Sequence, residues 1–187
     1  GVASAEVTFS GAAGAGVSST ANTDLTVWSG IDLDVAASAT TDGGVTVSVS
    51  EDFGGGQLAD YDDDYAVEDQ TSDLDTPTIV VSAGAVTVSL EDNAIDHLDD
   101  DAVAGDMGVS VAMGDATIDV VLDVDGDSGT DFSWSLGYTM GQIALSASGQ
   151  DDSSNFGASY TMGDVVVGIS TDDDGAGTTT NEVTVDY

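Results

Sequence analysis

Phe132-Ser133-Trp134-Ser135-Leu136-Gly137-Tyr138-Thr139-Met140 is the stretch on which the reading of this chain turns. Phe132, Trp134, Leu136, Tyr138 and Met140 fall on one side, and Ser133, Ser135, Gly137 and Thr139 on the other. Successive side chains of an extended strand point to opposite faces, so a strict period of two describes a strand with one apolar and one small polar face. Val45, Val47 and Val49 alternate in the same way with Thr46, Ser48 and Ser50 over 45–50, and Val86, Val88 and Leu90 with Thr87, Ser89 and Glu91 over 86–91. Further strands are predicted at 107–113, 116–124, 142–148, 155–162, 164–170 and 181–187, with weaker ones at 6–17, 26–38 and 78–83. The total is about twelve. No helical period is sustained, and the β-branched and glycine content opposes one.

The connections carry as much information as the strands. Tight ones fall at 41–44, Gly84-Ala85, Gly114-Asp115, Gly141-Gln142 and Gly163-Asp164, where glycine readily adopts the positive φ of hairpin turns. Between them lie longer acidic stretches at 18–25, 51–77, 92–106, 125–131, 150–154 and 172–180. Short and long alternate along the chain. The fold expected is therefore all-β, an up-and-down antiparallel transmembrane β-barrel with short turns at one end and long acidic loops at the other.

A soluble β-sandwich would show the same alternation with its apolar face turned inward. Two details favour the barrel. The polar face is built of Ser, Thr, Gly and Ala with some Asp, groups suited to a wet lumen. The aromatics also cluster by depth: Trp28, Phe132, Trp134 and Phe156 near the loop end, and Phe9, Tyr138, Tyr160 and Tyr187 near the turn end. Ala3-Ser4-Ala5 has the small-x-small form of a signal-peptidase site. Residues 1–5 are accordingly expected to be a signal-peptide remnant or N-terminal extension, and 6–187 a single barrel domain carrying acidic loops 51–77 and 92–106.

Charge narrows the function. The chain holds 36 acids and no Lys or Arg, for a formal net charge of -36. Nucleic-acid binding is set aside, because phosphate contacts need basic side chains. Anionic solutes are repelled and cations attracted. Hydrophobic residues make up 41% of the chain, too many for the disorder that usually accompanies such charge. There is no Cys for disulfide or thiol chemistry.

The sequence resembles the alphaproteobacterial, Rhodobacter-type outer-membrane porins. The likeness rests on Ala3-Ser4-Ala5-Glu6-Val7-Thr8-Phe9-Ser10-Gly11, on Tyr160-Thr161-Met162-Gly163-Asp164 with the following 165–168, and on the closing Val183-Thr184-Val185-Asp186-Tyr187. It implies an outer-membrane location, a homo-oligomer (a trimer in porins), passive diffusion of small hydrophilic solutes, and a constriction loop folded inward after the fifth strand. Here that loop is 92–106. Its Asp96, Asp99, Asp100 and Asp101 would narrow the pore and favour cations, as acidic rings do in cation channels. Asp32, Asp34, Asp119, Asp123 and Asp186 fall in the lumen phase of their strands.

Asp123, Asp125, Asp127 and Asp131 form a D-x-D-x-D run with a further Asp, oxygen ligands of the kind calcium takes. Glycine misses the sixth position of an EF-hand loop, and Trp134 stands where its glutamate would be. A low-affinity calcium or magnesium site is the expectation, with no cofactor required for function. Divalent ions would also bridge loop carboxylates to the phosphates of outer-membrane lipid and lipopolysaccharide. No catalytic constellation stands out, so the chain is not expected to be an enzyme. The alternative is a secreted or surface acidic β-protein, an adhesin, surface-layer or filament module, that binds divalent cations and self-associates through strand edges.

Overall fold

The computed structural model describes residues 2–19, 25–59, 66–70, 76–98, 103–126 and 129–187. All of its regular structure is extended, in thirteen strands: β1 Val2–Ser18, β2 Thr26–Thr41, β3 Val45–Ala59, β4 Val67–Asp69, β5 Thr78–Ala83, β6 Val86–Asp96, β7 Ala104–Met113, β8 Ala116–Leu122, β9 Phe132–Met140, β10 Ile143–Gln150, β11 Ser153–Met162, β12 Val165–Asp173 and β13 Thr179–Asp186. Sheet order follows chain order, with β4 off the path and paired to β3. The ladders are antiparallel, so the up-and-down meander is as expected. The path is open: β1 and β13 each have one ladder partner among the described residues.

The chain divides into two compact units, Gly1–Ile79 and Val80–Tyr187. In the first, β1 runs in register with β2 from Ser4↔Thr40 to Ser18↔Thr26. Residues 2–5, expected as an extension, belong to β1. β3 runs on to Ala59, so 51–59 are strand rather than loop. Glu51 interrupts the alternation, standing in the apolar phase opposite Val35, and Asp52 and Phe53 resume it opposite Asp34 and Leu33. β4 is a strand the sequence did not announce.

In the second unit, apolar residues line up rung by rung. One row is Val86, Val111, Ile118, Leu136, Ala147 and Phe156; another is Tyr138, Leu145, Ala158, Ile169 and Val183. The opposite face carries Ser110, Asp119, Ser135, Ser148, Asn155, Asp172 and Thr180 in one row. Gly114, Gly141 and Gly163, the glycines of the Met-Gly turns, all have φ between 62 and 65°. Only glycine holds that conformation cheaply, which fixes where each hairpin reverses.

Burial is inverted. The apolar face is exposed, with Ile169 at 60% and Leu136 at 39%, whereas Ser133 on the polar face is at 0%. Among the described residues the buried hydrophobic side chains are Trp28 and Val121. Both lie in the polar phase of their strands. A sandwich buries its apolar face; this sheet leaves that face open. The arrangement is the one expected of strands whose apolar side meets hydrocarbon.

Candidate functional site

Within each unit, alternation puts the acids expected in the lumen into the polar phase of their strands. Asp34 stands across from Ser10 on β1 and Asp52 on β3, and Ser10 Oγ donates to its carboxylate at 3.1 Å. Asp32 is flanked by Ala12 and Gly54, so small neighbours leave room around it. Asp52 completes the group. It was missed because β3 was expected to end at Ser50, where Glu51 interrupts the apolar phase, although the period resumes at Asp52 and Phe53. On β8, Asp119 faces Ser135, whose hydroxyl donates to it at 3.4 Å. Asp186 faces Val166 near the end of β13 and is exposed.

Asp123 plays another part. Its Oδ1 accepts the Gly126 N–H at 2.7 Å and its own N–H donates to the Asp131 carbonyl at 3.0 Å, so it shapes the turn after β8. Asp174 serves the β12–β13 connection in the same manner. Its carboxylate accepts N–H groups of Thr178 and Ala176, each at 2.8 Å, and these bonds hold its carboxyl below the ordinary carboxylate value.

The divalent group expected at Asp123, Asp125, Asp127 and Asp131 does not assemble among the described residues; Asp127 lies outside them. Asp131 instead donates its N–H to Asp151 Oδ1 at 3.1 Å. The carboxylates that do converge are Asp92, Asp106 and Asp125, with oxygens all within 4.8 Å of one another. A register irregularity between Leu90 and Ile95 carries Asp92 toward β7. Asp106 pegs the group, accepting Asn93 N–H at 3.0 Å and Val124 N–H at 2.6 Å. Three hard oxygen donors at this spacing suit calcium or magnesium. Linear spacing could not reveal them, because they come from β6, β7 and the turn after β8.

The acidic stretch 92–106 shortens to 97–103, since β6 extends to Asp96 and β7 begins at Ala104. Asp96 pairs with Ala104 at the loop end and is exposed. Asp99, Asp100 and Asp101 lie outside the described residues. The segment begins by crossing the polar face. His97 Nδ1 lies 2.9 Å from Ser133 Oγ on β9, and Leu98 N–H donates to the same oxygen at 3.0 Å. β7 and β8 lie between β6 and β9, so the chain leaving β6 passes over them to reach Ser133. His97 N–H closes the segment on the Val103 carbonyl at 2.9 Å. Val121, across the ladder from Ser133, is covered as well. Ser133 is fully buried and its oxygen accepts a backbone N–H.

Most of the aromatics assigned to belts share the apolar phase of their strands, Trp134 half-buried there. Phe132, Phe156, Tyr138 and Tyr160 stand exposed on the apolar face. Trp28 does not: it falls in the phase of Asp32 and Asp34, 7% exposed, against Gly14, Gly16 and Leu58. Glycines across the ladder make a slot for the indole.

A meander of alternating strands, an exposed apolar face, and a segment folded over the polar face can be compared with solved structures. A triple-substituted variant of the Rh. blastica porin is 18% identical to this chain with a TM-score of 0.50, over 96% of this chain and 78% of that one. A second, quintuple-substituted variant gives 16% identity and a TM-score of 0.52 over the same shares. The fold is porin-like. No family model and no curated protein sequence matches the chain. The porin-like sheet accounts for the chain-order topology and for the polarity of its two faces.

Proposed function

We propose that this chain is an outer-membrane porin that lets small hydrophilic solutes diffuse passively and prefers cations. The observation that carries the reading is the inverted burial: exposed Ile169 and Leu136 against fully buried Ser133. Hydrocarbon on the apolar side and water on the polar side satisfy both faces at once. The polar face then lines the lumen. Its acids repel anions, and the crossing by His97 and Leu98 supports a constriction at that level. The open edges at β1 and β13 suit the secreted-module reading, which would also need the apolar face packed, whereas that face is exposed. As in porins, a homo-oligomer, a trimer, is the assembly proposed.

Conductance in planar bilayers under a salt gradient tests this. Discrete steps with a cation-selective reversal potential are expected. A carboxylate about 4 Å from a passing ion favours a cation and disfavours an anion by about 1 kcal/mol each in water, so Asp34→Asn or Asp119→Asn should lower the cation-to-anion permeability ratio by up to about thirtyfold. Protein that stays dispersed without detergent and gives no steps would overturn the reading.

The converging Asp92, Asp106 and Asp125 support a second element of the proposal. Calcium or magnesium held there, or shared with lipid phosphates, would offset part of the charge where no basic side chain exists. Removing divalent ions from protein in lipopolysaccharide-containing vesicles is expected to lower its thermal midpoint, and Asp92→Asn should blunt that response. A midpoint unmoved by chelation would count against the site.

A further inference from the structure

Glu51 puts a carboxylate into the apolar phase of the first unit. It stands opposite Val35 in the β2–β3 ladder, between Val49 and Phe53 on its own strand, and Phe9 lies beyond Val35 on β1. The residue is half-buried, and its Oε1 is covered without a hydrogen-bond partner among the described residues. Buried polar atoms are normally paired, and an ionisable side chain at membrane depth is costly unless it is turned toward protein and bonded there. The chain has no Lys or Arg to neutralise this one. Its partner has to be a neutral donor.

Such a donor stands in the apolar phase of the second unit. Thr171 and Asn181 pair across β12 and β13, beside the exposed Ile169 and Val183. The Thr171 hydroxyl donates to Asn181 Oδ1, which leaves the amide hydrogens of the exposed Asn181 for another acceptor. Glu51 is the seventh residue of β3 (Val45–Ala59), and Thr171 is the seventh of β12 (Val165–Asp173). Both strands start from tight turns. Where the tight turns share one membrane surface, as the porin reading has it, seven residues of strand bring both positions to one depth.

We infer that the apolar face of β1–β3 is a self-association surface, on which Glu51 of one copy accepts a hydrogen bond from the Asn181 amide of a second copy. The contact joins two different patches, so it is head-to-tail and closes into a ring when the rotation allows. Composition supports the same face. Ala5, Ala13, Ala15, Ala37 and Ala39 share the phase of Glu51, whereas the second unit exposes Leu136, Leu145 and Ile169. Small residues let backbones approach closely inside a membrane. Trp28, expected in a lipid belt at the loop end of this unit, is turned to the polar face instead. The inference goes beyond the proposed assembly by naming the face and the paired groups, and its membrane setting rests on the porin reading.

Light scattering of the full chain across a dilution series in detergent micelles reads the association. Wild type is expected to be oligomeric. Glu51→Leu and Asn181→Leu should each raise the dissociation constant at least about tenfold, the effect of losing one hydrogen bond to a charged acceptor. The double variant should be no weaker than either single one, because both remove the same bond. Glu51→Gln keeps an acceptor oxygen and should recover most of the affinity. Single effects that multiply in the double variant overturn the pairing, and so does a folded wild type that is monomeric at every dilution.

A second arm leaves Glu51 and Asn181 in place. The chain has no cysteine, so one can be introduced alone. In vesicles, Ala37→Cys should be protected from a lipid-soluble maleimide while Leu145→Cys reacts, and adding Glu51→Leu should expose Ala37→Cys. Equal reactivity of the two single variants overturns the surface. Conductance keeps the two readings apart. Discrete steps from a monomer would sink the association and leave the porin reading standing. Coupled Glu51 and Asn181 variants in a chain that stays dispersed without detergent and gives no steps would sustain the association and sink the porin reading.

Discussion

Ile169→Arg is expected to abolish stable insertion into bilayers, whereas Ser170→Arg, one residue along, is expected to insert normally and shift the reversal potential toward anions. Ile169 is the middle residue of β12 and pairs with Ala158 and Val183, so it stands within the apolar face with its side chain 60% exposed. An arginine at the bilayer midplane of a barrel costs about 2–4 kcal/mol. Ser170 faces the other way, in the row of Gly157 and Glu182, where water would solvate a guanidinium. Folding from urea into lipid vesicles, followed by the heat-dependent mobility shift of folded barrels, measures the difference. Equal tolerance of arginine at both positions would mean that the apolar face does not meet hydrocarbon, and the membrane assignment would fall with it.

Trp28→Ala is expected to cost the first unit about 3–5 kcal/mol, the usual range for deleting a large aromatic from a packed site. The indole lies over the Cα atoms of two glycines: a Cβ at Gly16 would sit 2.5 Å from Trp28 Cζ2, and one at Gly14 would sit 3.2 Å from Cζ3. The slot exists only because those residues have no side chain. Gly16→Val should therefore push the ring out at about 1–3 kcal/mol, the ordinary cost of overpacking. Urea titration of tryptophan emission checks both, with Phe132→Leu on the exposed face as a variant expected to stay near wild type. A Trp28→Ala midpoint equal to wild type would mean that the indole is not the packed residue its burial describes.

Which of these features could be read in advance depends on the range of the interaction behind them. Strand identity and facing follow from a period of two, a property of adjacent residues, so Phe132 to Met140 declared its two faces without knowledge of any neighbour. The hairpin reversals at Gly114, Gly141 and Gly163 were equally local, because positive φ is a cost that each residue bears alone. Strand ends were harder. Charge at 51–59 and 92–96 looked like loop, yet β3 and β6 ran on, with Glu51 opposite Val35 in the apolar phase and Asp52 brought onto the face of Asp34.

Contacts between distant segments stayed invisible. Among the described residues the acids that converge are Asp92, Asp106 and Asp125, whose spacing is set by a register irregularity and a turn rather than by sequence order. Trp28 belonged by texture to an aromatic belt, but its even-numbered phase and the glycines across the ladder turned it inward. Burial of His97 against Ser133, 36 residues later, depends on the chain after β6 crossing two strands to reach a third. Period and composition settle which face a residue takes and what charge it brings. Packing across the sheet settles which of those residues meet, since a hydrogen bond or a slot for an indole needs two segments whose separation no local pattern encodes.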